Sequence, residues 1–376
     1  MARVTGKTIY LLGAGASQHT GAPLLKDFLL SARVLREEGG ELRYQQSFDR
    51  VFKWIDSLRA SSYYVEFDLD NLEHVFSLAE MSRQLGLESG EERCSDLRYV
   101  IMETLDRLQL RYTRGQLVPS PAYGAFVSKM VALNNARLEH VGATKYPLGR
   151  DVIITFNYDV MLDYAMKFHG IRPSYGVESG SSGDSFQVLK LHGSSNLARC
   201  RSCGGRCQLL PPDPIPPGHT LPFPMDEGHT LEFRMVTNVL PNTECVNCKQ
   251  KGSLEPVIIP PTWSKEIQNT PLVNVWKAAV QAIGGAFQVV VIGYSMPPTD
   301  TFFQYLLTLG LQSNPGFHRV VIVNRDPSEQ LMDRYRRTFS RSLADRGHLK
   351  FLCVTFEQFI GEHMEAAGSQ IEWNIK

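Results

Sequence analysis

The sequence predicts an α/β protein, a Rossmann-like doubly wound parallel sheet carrying a helical insert and a small zinc-binding module. Three observations point there. Short runs of branched apolar residues bounded by turn residues recur along the 376 residues, as strands buried on both faces require. Helical patterns lie between many of those runs, the alternation that builds a parallel sheet covered on both sides. Five of the seven cysteines, those at 200, 203, 207, 245 and 248, fall within one short region, leaving Cys94 and Cys353 apart.

The expected strands are TIYLL (8–12), VIIT (152–155), VLKL (188–191), PVII (256–259), VVVIG (289–293), VVIVN (320–324) and FLCV (351–354). Helical patterns cover 23–36, 160–168, 272–283, 301–309 and 328–339. Two stretches break the alternation. From 41 to 138 the chain reads as mostly helical, with SFDRVFKWIDSL, DNLEHVFSLAEM and LRYVIMETLDRLQL carrying apolar residues at helical spacing. The charged LESGEERCSD (87–96) reads as a loop between two of those helices. The second break, 200–252, holds the cysteine pairs around PPDPIPPGH, a proline-rich loop outside regular structure. No repeat at a solenoid period is present. The expected organisation is one domain over 1–376, containing 41–138 as a helical insert and 200–252 as a zinc-ribbon-like module.

Lys+Arg and Asp+Glu both total 39, a net charge of +0, so nothing global favours a nucleic-acid partner. Direct nucleic-acid binding is not expected; Arg199, Arg201 and Arg206 are its only local support. An apolar content of 43% is that of an ordinary soluble globular protein. No apolar run approaches the roughly 18 residues of a membrane span. The opening MARVTGKTIYLLGAGAS has a shorter apolar run than the roughly 7–15 residues of a secretory signal. The cytoplasm is the expected location, where clustered cysteines point to metal ahead of disulfides.

The chemistry sits at strand ends. The first strand runs into Gly13-Ala14-Gly15-Ala16-Ser17, and a helical pattern follows Pro23. Glycines there let a backbone approach a phosphate, and a helix amino terminus offers free N–H groups. The plain alternative is a tight strand-to-helix turn. The third glycine of the dinucleotide fingerprint is missing, as is a second strand ending in an acidic residue about 20 residues on, which argues against hydride transfer. VIIT leads into Phe156-Asn157-Tyr158-Asp159. Asn157 can orient a water or a sugar hydroxyl, and Asp159 suits a helix N-cap as well as a ligand site. VLKL is followed by His192-Gly193-Ser194; histidine takes a proton near neutral pH, and the glycine is expected to open space beside it. Gly293-Tyr294-Ser295 and Asn324-Arg325-Asp326 end two further strands with the small and polar residues that line nucleotide clefts. Cys200-x-x-Cys203 and Cys245-x-x-Cys248 form two knuckles whose four thiolates can close a tetrahedral, structural Zn2+ site, with Cys207 either replacing Cys203 or staying free.

Taken in order, GAGAS, TFNYD, KLHGS, the paired CxxC module and IGYS resemble the Sir2 (sirtuin) family over most of the chain outside the helical insert. The TFNYD form is similar to the bacterial Sir2-like NAD-hydrolase branch, the antiphage-defence type, more than to the protein deacylases, which carry TQNID. The resemblance implies NAD as substrate, lying across the sheet edge. Gly13, Ala14, Gly15, Ala16 and Ser17 would hold its phosphates and nearby ribose. Asn157 and Asp159 would flank the nicotinamide ribose, His192 would act on its hydroxyls, and Gly293, Ser295 and Asn324 would contact the adenosine half. The chain departs from the deacylases after the glycine loop, where Gly21-Ala22-Pro23-Leu24-Leu25-Lys26 replaces GIPDFR. It departs again after the cysteines, where Pro260 and Pro261 disfavour pairing with a guest peptide. Both departures favour water as acceptor. Implied too are gating of a toxic activity, a homo-oligomer, and a partner ATPase or short Argonaute. The rival expectations are a lysine deacylase, a non-catalytic NAD or ADP-ribose sensor, and a nucleic-acid adaptor.

Overall fold

The computed structural model describes residues 6–38, 42–61, 65–106, 108–113, 116–141, 151–177, 186–205, 207–210, 230–234, 236–259, 272–297, 300–326 and 328–364. In chain order the strands are β1 (Lys7–Leu12), β2 (Leu108–Thr113), β3 (Gln116–Val118), β4 (Val152–Thr155), β5 (Pro173–Ser174), β6 (Phe186–Lys190) and β7 (Gly193–Cys200). They continue with β8 (Gln208–Leu209), β9 (Thr230–Phe233), β10 (Leu254–Ile258), β11 (Ala286–Ile292), β12 (Arg319–Val323) and β13 (Leu349–Leu352).

Seven strands form one sheet in the order β13-β12-β11-β1-β4-β6-β5, every pair parallel. Residues of β1, β4, β11 and β12 alternate between two apolar clusters. Tyr10, Leu12, Ile153, Val290 and Val321 face one, and Ile9, Leu11, Val152, Val289 and Val320 face the other. This explains the unbroken apolar runs, since both faces of each strand are covered. Each such side chain taken fully from water contributes about 1.5–3 kcal/mol. The second cluster is closed by Val273–Gly284, Thr301–Leu311 and Glu329–Thr338, helices that follow the sequence expectation closely.

The first cluster is closed partly by the insert, whose helices Gln45–Ser61, Leu72–Gln84, Gly90–Leu105 and Pro121–Val141 bury Phe48, Phe76, Leu97 and Phe126 beside Tyr10. Cys200, Cys245 and Leu254 join the same cluster, so insert and cysteine region share a core with the sheet.

The chain runs from β1 outward to β4 and then β5 and β6, and returns to the other side of β1 as β11, β12 and β13. The direction of winding therefore reverses between β1 and β11. In open α/β sheets the crevice outside the carboxyl ends at that point is where ligands bind.

Several expectations are corrected. PVII (256–259) is not a parallel strand: β10 pairs antiparallel with β7 in a separate sheet ordered β10-β7-β8. Pro256 has no N–H to give a second neighbour, and β10 is an edge strand. LESGEERCSD (87–96) is not all loop, because a helix begins at Gly90 with Glu91 and Glu92 in its first turn, where carboxylates meet the positive helix end. The apolar spacing of LRYVIMETLDRLQL does not continue as helix either. The helix stops at Leu105, and β2 pairs with β9, contributed from beyond residue 200. The helical pattern at 23–36 begins only at Phe28, after two short 3-10 turns, Ala14–Ala16 and Gln18–Thr20. The proline-rich PPDPIPPGH, Arg206 and Pro260–Trp263 lie outside the described residues.

The exit loops of β1 and β11 interlock. Gly13 N–H donates to the Ile292 carbonyl at 2.9 Å and Gly15 N–H to the Gly293 carbonyl at 2.8 Å. Gly293 has φ +62, and a Cβ there would lie 2.4 Å from the Ala16 nitrogen. Gly293→Ala should therefore cost more than about 2 kcal/mol, from left-handed strain plus backbone displacement. Gly86→Ala, at φ +65 with open space around it, should cost only about 1–2 kcal/mol. Urea unfolding of the two variants side by side checks this; equal losses would contradict the interlock.

Candidate active site

A cavity of about 840 Å³ opens at the reversal between β1 and β11. Each strand of the parallel sheet from β13 to β6 reaches it through the loop at its carboxyl end: Thr355 after β13, Asn324 after β12, Ser295 after β11, Ser17 after β1, Asn157 after β4 and His192 after β6. Ala14, Gly15, Asp159 and Gly293 also line it, while Gly13 and Ala16 lie behind the loop surface. The insert contributes Asn71, Leu72 and Glu73.

Ser17 is the centre of a hydrogen-bonded group. Its hydroxyl donates to Asp159 Oδ2 at 2.7 Å and accepts from Asn157 Nδ2 at 2.9 Å. Tyr123, on the insert, lies 2.7 Å from the same oxygen. Asn157 Nδ2 also donates to the Gly13 carbonyl at 2.9 Å, and the Asn157 N–H donates to Thr155 Oγ1 at 3.0 Å. The amide nitrogen is thus committed within the protein, and Oδ1 is the amide atom placed to accept from a bound water or sugar hydroxyl. Asp159 is not the N-cap expected of it, a position Val160 takes; its Oδ1 accepts from Met161 N–H at 3.1 Å just before Met161–Phe168, and its Oδ2 holds Ser17.

His192 is buried at 3% exposure and its ring sits among aromatics, 5.2 Å from Phe156 and 6.2 Å from Tyr158. Phe156 stacks on Tyr294 at 4.5 Å, and Tyr294 donates to Asp300 Oδ2 at 2.7 Å. Burial holds the Tyr294 and Tyr158 phenols far above the ordinary tyrosine range, so both stay protonated donors. Gly193 does not open space beside His192. It has φ +86, and a Cβ there would lie 2.0 Å from the Val257 carbonyl oxygen, so the glycine admits β10 against β7.

The glycine loop is likewise used differently from expectation. The N–H groups of Gly13, Gly15, Ala16 and Ser17 all donate to protein carbonyls, to Ile292, Gly293, Gly13 and Ala14 in turn. Ala14 N–H is the one amide of the five without such a bond among the described residues. Positive charge at the cavity comes from Lys26 and Arg325, which line it.

Sequence reasoning passed over Lys190, Tyr123, Glu73 and Asp300. Lys190 is buried and pairs with Asp163 at 2.8 Å, donates to the Asp159 carbonyl at 2.7 Å and to Ser194 Oγ at 2.9 Å. Tyr175 donates to the same Asp163 carboxylate. A lysine inside an apolar strand run was the available signal, because a buried charge demands partners. The others come from the insert or a loop and carry no local motif.

The Sγ atoms of Cys200, Cys203, Cys245 and Cys248 all lie within 4.8 Å of one another. Cys200–Cys248 and Cys203–Cys245 are each 3.7 Å apart, against the roughly 3.8 Å that tetrahedral Zn–S bonds of about 2.3 Å impose. The donor set fits structural zinc. Each knuckle closes alike, with Gly204 N–H on the Cys200 carbonyl and Lys249 N–H on the Cys245 carbonyl. Cys207 stands outside the quartet, half-buried against apolar neighbours, and burial pushes its thiol up to about 11.

No family model and no curated protein matches the chain. Among solved structures, a Sir2 homolog–NAD complex matches at 18% identity and a TM-score of 0.42, over 97% of this chain and 92% of that one. A Sir2 homologue mutant with ADP-ribose matches at 17% and 0.39, over 95% and 90%. Sir2 bound to acetylated peptide matches at 16% and 0.37, over 96% and 93%. The chain is similar to Sir2 homologues. No helix among the described residues is long and apolar enough to cross a membrane.

Purified protein should carry about one zinc per chain by elemental analysis. Chelation or Cys245→Ser should lower the melting temperature by about 5 °C or more, because a structural zinc contributes folding free energy. Metal-free protein with the same melting temperature would contradict the assignment.

Proposed function

We propose that this chain hydrolyses NAD at the nicotinamide–ribose bond, giving nicotinamide and ADP-ribose. The observation that carries the proposal is the meeting of Asn157, Asp159, Ser17 and His192 on one cavity at the β1/β11 reversal, where an α/β sheet binds its ligand. The sequence resemblance to the Sir2-like NAD hydrolases supports the same reading.

In this reaction the C1′–N bond breaks with its electron pair leaving on nicotinamide. C1′ becomes oxocarbenium-like, and water adds there and loses a proton. The Asp159 carboxylate, fixed by Ser17 and Met161, supplies negative charge near the developing cation. Asn157 Oδ1 holds the attacking water or a ribose hydroxyl, and His192 accepts a proton from a ribose hydroxyl. The aromatic wall of Phe156, Tyr158 and Tyr294 excludes bulk water around the reacting carbon. Lys26 and Arg325 face the diphosphate, and Ser295 and Asn324 the adenosine half.

NAD loss without control would poison the cell that makes the enzyme. The activity is therefore read as gated, with the insert as the surface for self-assembly or for a partner such as an ATPase or short Argonaute. The NAD-depleting antiphage role rests on the resemblance.

The test is release of nicotinamide and ADP-ribose from NAD by purified protein without peptide. Wild type should turn NAD over, and Asn157→Ala and His192→Ala should each lose roughly 10²–10⁴-fold while still unfolding cooperatively, each at a somewhat lower melting temperature. Turnover only with an acyl-lysine peptide would make the chain a deacylase, and intact NAD recovered from a tight complex would make it a sensor.

A further inference from the structure

We infer that Tyr123, supplied by the insert, is a positioning residue of this site that acts through the Ser17 hydroxyl. The inference rests on the NAD-hydrolase reading above and adds to it a residue outside the sheet.

The argument is one of hydrogen-bond valence. A serine hydroxyl has one proton to donate and two lone pairs to accept with. Asp159 Oδ2, at 2.7 Å, can only accept, so it takes the Ser17 proton. Asn157 Nδ2, at 2.9 Å, can only donate, and its identity as nitrogen follows from its second bond to the Gly13 carbonyl oxygen at 2.9 Å. The remaining partner, Tyr123 Oη at 2.7 Å, must therefore donate into the last lone pair. Burial keeps that phenol protonated, holding it well above the usual tyrosine range.

Two consequences follow. Ser17 Oγ is saturated by the protein, and its residue is 1% exposed. It orders Asn157 and Asp159 and has no bond left for a phosphate or ribose, which revises the role expected of it from sequence. The third bond to the Ser17 hydroxyl is supplied by a donor carried by Pro121–Val141. That helix is docked against the site independently: Tyr123 packs edge-on to His19 at 5.0 Å and to Phe356 at 5.6 Å, and Ser120 Oγ meets His19 Nε2 at 2.9 Å. The position of the insert is thereby coupled to the orientation of Asn157 and Asp159.

Tyr123→Phe keeps the ring and its packing and deletes only the donor. With NAD, kcat should fall roughly tenfold, the scale of a small misplacement of reacting groups, while KM and the melting temperature stay near wild type. Ser17→Ala should show a similar loss. Adding Tyr123→Phe to Ser17→Ala should produce no further fall in kcat, because the first change has already removed what the second acts through. Undiminished kcat in Tyr123→Phe, or losses that multiply in the double variant, would overturn the inference while leaving NAD hydrolysis standing. A wild type that does not turn over NAD would overturn both.

Discussion

The site depends on how closely two backbones approach where β1 and β11 end. Gly15 donates to the Gly293 carbonyl at 2.8 Å, and a methyl group on either residue would lie within 3 Å of the other's backbone. Only two facing glycines allow this contact, since an added Cβ would force the loops apart. Because the contact is tight, the loop after β1 is held at one height above the sheet edge. Ser17 is thereby held within reach of Asn157 and Asp159, which arrive from β4. The same contact consumes loop N–H groups that a nucleotide would otherwise meet. A glycine-rich stretch that reads as a phosphate cradle is thus first a device for packing two loops.

A second constraint lies beneath the site. Lys190 and Asp163 form an ion pair with side chains 5% and 0% exposed. Removing either partner would strand a charge in a low-dielectric core, at a cost of roughly 3–5 kcal/mol. Lys190 also donates to the Asp159 carbonyl, and Ser195 N–H donates to the Tyr158 carbonyl at 2.9 Å. The backbone of TFNYD is therefore held from below by KLHGS, and the two motifs form one unit. Tyr123 holds the same group from the side of the insert.

Much of this was legible in the sequence. Six of the seven runs of branched residues are strands of the parallel sheet, and burial on both faces accounts for the composition of all but the half-buried edge strand β13. PVII looked the same yet belongs to the antiparallel sheet with β7, since a short apolar run does not say which sheet it joins. The two CxxC knuckles were readable from spacing, because four thiolates suit a tetrahedral zinc, but spacing left Cys207 as a rival to Cys203, and the fold sets it outside the quartet. β2 was not readable, as its partner β9 is more than a hundred residues away. β5, of two residues, is too short to show a period. At the site, Asn157, Asp159 and His192 announced themselves as polar residues at the ends of apolar strands. Tyr123 and Glu73 did not, because tertiary packing of the insert brings each to the site, while Asp300 follows β11 locally and gave no sign of its bond to Tyr294. Gly193 misled, since it admits a neighbouring backbone where sequence suggested open space beside His192, whereas Gly293 lines the cavity as expected and also admits the loop after β1.

The most direct test of the account is a crystal structure of the protein with ADP-ribose, the product the site would release. The account predicts the ligand across the carboxyl ends of β1 and β11. Its diphosphate should lie over Ala14 near Lys26 and Arg325, and its distal ribose beside Asn157 Oδ1 and His192, with Ser17 Oγ still bound to Asp159, Asn157 and Tyr123. Ligand bound elsewhere, or a ribose whose hydroxyls meet neither Asn157 nor His192, would contradict it.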